Sequence, residues 1–141
     1  MGFRKYWSIA VYIILISVGV GTSVYFKIRG TVEVFEGNIT VSPQSFSVDI
    51  AKGTEYVKSI TVRNYGKEVS VYFEDVVEGP NPEGIDVSYK DVHGNSIYSS
   101  KKLLLPGGTK EKPSNTTVHV HLEVKGSAEI GKYNVYIFVR S

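Results

Sequence analysis

A chain of 141 residues with a formal charge of +2 and no cysteine has room for one ordinary core but not two. It can carry no disulfide, no Cys-ligated metal and no thiol nucleophile. The charge is uneven: Arg4, Lys5, Lys27 and Arg29 precede residue 31, leaving 12 Lys and Arg against all 14 acids, a net of −2, so the basic balance belongs to the membrane flanks and no nucleic-acid partner is expected.

The basic start MGFRKYW leads into SIAVYIILISVGVGTSVYF, residues 8–26, a run of 19 residues without a charge. That length is close to the roughly 20 residues that span hydrocarbon as a helix, so a membrane helix is expected over residues 1–26. Tyr6 and Trp7 on one side, with Tyr25 and Phe26 on the other, are placed like an aromatic belt. Arg4 and Lys5 are balanced by Lys27 and Arg29. The N-terminus is assigned to the inside because the remaining chain reads as an exported domain. It carries two glycosylation sequons, at Asn38 and Asn115. Two fates stay open for the apolar run. A cut after Ser23, with Gly21 as the other small residue, would make it a signal peptide; its length, beyond the roughly 7–15 residues of a signal core, favours a retained anchor. Residues 27–36 then form a tether and 37–141 the exported domain.

Past Gly30 the apolar pattern alternates. Val69, Val71 and Phe73 point one way and Ser70, Tyr72 and Glu74 the other. Val118, Val120, Leu122 and Val124 repeat this, as do Tyr133, Val135, Ile137 and Val139. Period two predicts half-buried strands. Further candidates at 32–35, 38–41, 45–50, 57–64, 85–89 and 103–105 bring the total to about nine, separated by turn sequences such as AKGTE, NYGKE, EGPNPEG, DVHGNS and LPGGTKEKPSN. No helical stripe follows Gly30. Many short strands with Gly- and Pro-rich connections predict an all-β, antiparallel sandwich of the immunoglobulin-like or jelly-roll kind, with a tyrosine opening its last strand.

Chemistry-bearing motifs are few. His119, His121 and Glu123 share one strand face, a ladder that needs a third ligand from a neighbouring strand to hold a metal; the plainer reading is a solvated face. His93 lies in a turn. Glu74-Asp75 and Glu83/Asp86 read as solvated edges and loops. There is no zinc-protease helix, no nucleophile elbow and no phosphate loop, so neither an enzyme nor a cofactor is expected. Tyr72, Tyr136 and Phe138 fall opposite the core positions of their strands, as cross-strand pairs or as a surface that a partner covers.

The segment GVGTSVYF, followed by FEGNITVSPQSFSVDIAKGTEYVKSITVRNYGKEVSVYFE, resembles the TasA/camelysin family and its archaeal bundling-pilus relatives. The matching positions are Gly19, Gly21, Thr22 and Phe26, then Gly37 to Val41, then Ile50 to Glu55, then Ile60 to Gly66 with its Asn64-Tyr65-Gly66 ending. The signal pattern of the family prefers small residues before the cut, where Ser23-Val24-Tyr25 stands here. The resemblance implies an extracellular subunit that polymerises into pilus or biofilm-matrix fibres by donor-strand complementation. The donor would be residues 31–35: Thr31, Val32, Glu33, Val34 and Phe35. Camelysins are classed as metallopeptidases, but no motif here carries that activity over. The expected partners are further copies of the chain and, through the N-terminal segment, a membrane. The alternative is a membrane-anchored sandwich that binds another envelope protein or a glycan. Residues 31–35 discriminate: folded into their own sheet they favour the anchored module, unpaired or swapped they favour the polymer.

Overall fold

A computed structural model describes residues 11–17, 24–34, 38–129 and 131–141. It is all-β, with ten strands and a single 3-10 turn at Pro82–Gly84 among the described residues. The strands are β1 (Val11–Ser17), β2 (Val24–Val34), β3 (Ile39–Ser42), β4 (Ser45–Ala51), β5 (Glu55–Asn64), β6 (Val69–Glu78), β7 (Ile85–Lys90), β8 (Leu103–Leu105), β9 (Ser114–Val124) and β10 (Tyr133–Arg140). They form two sheets, ordered β4-β2-β1-β10-β6-β8 and β3-β5-β9-β7, consistent with a β-sandwich.

The alternating rows build the core. Val118, Val120, Leu122 and Val124 of β9, and Tyr133, Val135, Ile137 and Val139 of β10, are all fully buried and belong to one hydrophobic cluster drawing on both sheets. Each such aliphatic side chain contributes about 1.5–3 kcal/mol by leaving water. Every one of the nine stretches expected as strands after Gly30 contains a strand.

The apolar run departs from expectation. Val11–Ser17 and Val24–Val34 are strands, and no described helix is long and apolar enough to cross a membrane. Residues 1–10 and 18–23, including the possible cut after Ser23, lie outside the described residues. The physical reason for the difference is the surroundings of the backbone. In hydrocarbon a segment must satisfy its amides internally, which selects a helix. Beside a sheet the same amides pair across strands, and the β-branched Val11, Ile13, Ile14 and Ile16 suit that pleated conformation.

Two connections are fixed by specific chemistry. The turns at residues 51–54 and 91–95 use Gly53 (φ 78°) and Gly94 (φ 83°), left-handed positions where a side chain would be strained. In the second, the Asp91 carboxylate accepts hydrogen bonds from the amides of His93 (2.8 Å) and Asn95 (2.9 Å), and this holds its carboxyl below the usual range. The NYG ending of β5 is locked by Asn64, which is 1% exposed. Its Nδ2 donates to the carbonyls of Lys67 (2.7 Å) and Pro106 (3.0 Å), and its Oδ1 accepts from the Gly66 amide (2.9 Å). The asparagine of that motif therefore ties the loop after β5 to the loop after β8.

Candidate functional site

The position of β1 organises the larger sheet. It pairs antiparallel with β2 from Val11↔Gly30 to Ser17↔Val24, and antiparallel with β10 through Val11↔Val135, Tyr12↔Asn134 and Ile13↔Tyr133. A piece of the apolar run thus fills the seat between β2 and β10. On its other side β2 pairs with β4, from Tyr25↔Ala51 to Arg29↔Ser47.

Of the residues expected to donate, Thr31, Val32, Glu33 and Val34 end β2 and Phe35 lies outside the described residues. Thr31, Val32 and Glu33 are all buried, and the Val32 amide donates to the Gln44 carbonyl at 2.9 Å. This segment is seated in the sheet of its own chain. Glu33 is conspicuous there: it is 4% exposed and its Oε2 has no hydrogen-bond partner. Burial pushes its carboxyl up from 4.5 to about 7, opposed by the charge of Arg140. A carboxyl raised by folding binds its proton more tightly in the native state, so its contribution is fully present below pH 4.5 and is lost as the pH rises towards 7. The upper limit of that loss is about 3 kcal/mol. Thermal melts from pH 4 to 8 are expected to show wild type falling relative to Glu33→Gln across that window. Parallel curves would show that Glu33 ionises freely.

The histidine ladder is placed as the alternation predicts but is not assembled as a metal site. His119 and His121 lie opposite the buried row of β9. His119 Nδ1 is 2.9 Å from the Ser59 hydroxyl, His121 Nδ1 is 3.4 Å from Glu55, and Glu123 is exposed. Among the described residues, no group of three His, Cys, Asp or Glu side chains is arranged to hold a metal ion. Asn38 and Asn115 are both exposed, Asn115 accepting a hydrogen bond from Arg63 Nε at 3.0 Å. Tyr72, Tyr136 and Phe138 are half-buried on the outward face of β6 and β10, with Lys102 over the Tyr72 ring and Arg140 over Phe138.

Asp75 corrects the reading of Glu74-Asp75 as a solvated pair. Glu74 is exposed and pairs with Arg140. Asp75 keeps the parity of Val71 and Phe73 and is half-buried on the inner side, where it accepts the hydroxyl proton of Tyr89 from the opposite sheet at 2.9 Å. Tyr89 is 4% exposed and stacks on Phe73 with ring centroids 4.9 Å apart. Burial raises the carboxyl of Asp75 and pushes the Tyr89 phenol well above its ordinary value. The signal in the sequence was parity: in an alternating strand, position 75 shares a face with 71 and 73.

An alignment over 138 residues with an uncharacterized protein of Archaeoglobus fulgidus (strain ATCC 49558 / DSM 4304 / JCM 9628 / NBRC 100126 / VC-16) shows 49% identity. It covers 97% of this chain and 99% of that protein. The chain belongs to that protein's family. No family model matches the chain, and no solved structure matches it.

Proposed function

We propose that this chain is a non-enzymatic, extracellular structural subunit that joins to further copies of itself by strand exchange, building a filament of the pilus or biofilm-matrix type. The observation that carries this reading is the strand order β2-β1-β10, in which a piece of the apolar run completes the larger sheet. When that run lies in a membrane, or is removed by a cut after Ser23, the seat is open. Unpaired amides and carbonyls then flank the core residues Tyr133 and Val135, a state that captures a strand. A strand from a second copy satisfies those exposed groups by β-augmentation, and such head-to-tail joining propagates without closing. In this reading the donated segment is β2, the first strand after the cut, with Thr31 to Val34 at its end; a copy that has given up β2 presents an open groove running from β4 to β10. The resemblance to the TasA/camelysin family points the same way. An immunoglobulin-like or jelly-roll topology is supported by Tyr133, whose hydroxyl donates to the Glu129 carbonyl at the start of the last strand.

One observation favours the second reading, a membrane-anchored sandwich that binds another envelope protein or a glycan. Thr31, Val32 and Glu33 are buried in their own sheet, with Val32 fully enclosed. The test is assembly of purified residues 24–141 against concentration. Strand exchange is expected to give fibres or denaturant-resistant oligomers, blocked by a synthetic peptide of residues 24–36. A single monomer in analytical ultracentrifugation at high concentration, unchanged by the peptide, would transfer the case to the anchored module.

A further inference from the structure

Asp75 faces into a cleft of ≈ 370 Å³ between β6, β7 and the segment after Gly94. Phe73, Ser88, Tyr89, Ile97 and Tyr98 line it with Asp75. Three aromatic rings and one carboxylate meet in it, and Tyr98 stands half out of it, 51% exposed.

The charges around the cleft do not balance at Asp75. Glu74 is paired with Arg140, and Asp86 with Lys125 at 3.4 Å. Among the described residues no lysine, arginine or histidine forms an ion pair with Asp75. Both Glu74 and Asp86 act on it as further negative charge, adding to the effect of burial on its carboxyl. Its one hydrogen bond, from Tyr89, fixes the carboxylate in place but brings no charge. A carboxylate accepts about four hydrogen bonds, so capacity remains.

We propose that this cleft binds a primary alkylammonium group, its charge held by the Asp75 carboxylate and its methylenes laid against the rings of Phe73, Tyr89 and Tyr98. A cation over aromatic faces is attracted by the ring quadrupoles, most strongly where water is partly excluded. The ammonium has three donors, and the free acceptor capacity of Asp75 can take more than one of them. The open side at Tyr98 admits a chain from solvent. The same chemistry is offered by a lysine side chain on a protein and by a free aliphatic amine. This site is independent of the strand seat and stands whichever reading of assembly holds.

The experiment is an amide chemical-shift titration of the full-length chain in detergent with three probes: N-α-acetyl-lysine-N-methylamide, putrescine, and the uncharged N-α-acetyl-norleucine-N-methylamide. Saturable shifts at Ser88, Tyr89, Ile97 and Tyr98 are expected for the charged probes, with the norleucine probe about tenfold weaker or more. Saturation by the lysine probe alone assigns a protein-borne lysine; saturation by both assigns small amines as well. Asp75→Asn keeps an acceptor for Tyr89 and is expected to weaken the charged probes by about tenfold or more. Tyr98→Ala, at an exposed position, is expected to weaken them several-fold. Absence of saturable shifts, equal binding of the norleucine probe, or undiminished binding to a folded Asp75→Asn chain would overturn the proposal.

Discussion

Asn64→Asp is expected to destabilise the protein by about 3–5 kcal/mol at neutral pH, the scale of an uncompensated buried charge. The wild-type Nδ2 donates to two carbonyls, of Lys67 and Pro106, in a position that is 1% exposed. An aspartate puts an acceptor-only oxygen against those two carbonyls, so both lose their donor and a negative charge is held in a poorly solvated place. The volume hardly changes, which separates this electrostatic effect from packing. Protonation restores one donor, so the carboxyl is held above its ordinary range in the folded state. The deficit is therefore smallest at acid pH and grows as the pH rises through the unfolded-state value. Chemical denaturation of wild type and variant at several pH values measures it. Asn115→Asp, at an exposed site, is the control and is expected to change stability by less than about 0.5 kcal/mol. Equal effects at the two positions would remove the argument that Asn64 is a lock.

How much of this was legible in the sequence depends on what each residue faces. The rows on β9 and β10 alternate without a break because one face meets the core and the other does not. That is the condition under which period two can be read. Residues 11–17 carry no such alternation, and an apolar run of that kind suits a membrane helix and a strand enclosed by neighbours equally well. Composition cannot choose between them, because the choice belongs to the surroundings. The strand at the end of β2 was expected, and Thr31 to Val34 are in it. The seat beside it was not foreseen, since it is created by pairing between residues more than 100 positions apart in the chain, such as Val11 with Val135. Asp75 was hidden by a different habit of reading: adjacent acids suggest solvent, whereas the parity of the strand places the second of them inside. Asn64 was visible only as a letter in a motif. Its role needs the Pro106 carbonyl, which no local pattern brings near.

Truncating Tyr133 is expected to cost about 3–5 kcal/mol as Tyr133→Ala, the range for a large buried aromatic. Tyr133 is fully buried, and its hydroxyl donates to the Glu129 carbonyl. Tyr133→Phe keeps the ring and leaves that carbonyl without this donor, so it is expected to cost only about 1 kcal/mol. Gly79 gives a sharper test than either single variant. Its Cα lies against the Tyr133 ring so closely that a methyl group there would overlap the ring atoms. Gly79→Ala must therefore displace the ring in the wild-type background, whereas in Tyr133→Ala the methyl enters vacated space. The double mutant is expected to be more stable than the sum of the two losses predicts, by about 1–3 kcal/mol, a coupling that only residues in contact produce. Tyr133 also sits opposite Ile13 in the seat between β2 and β10, so its loss acts on the strand that fills that seat. In the assembly assay, Tyr133→Ala is accordingly expected to lower the yield of oligomers of residues 24–141 under conditions where Tyr133→Phe retains it. Additive losses for the Gly79 pair would show that the ring and the glycine are not in the contact argued here. Equal assembly by the two tyrosine variants would separate the ring from strand capture.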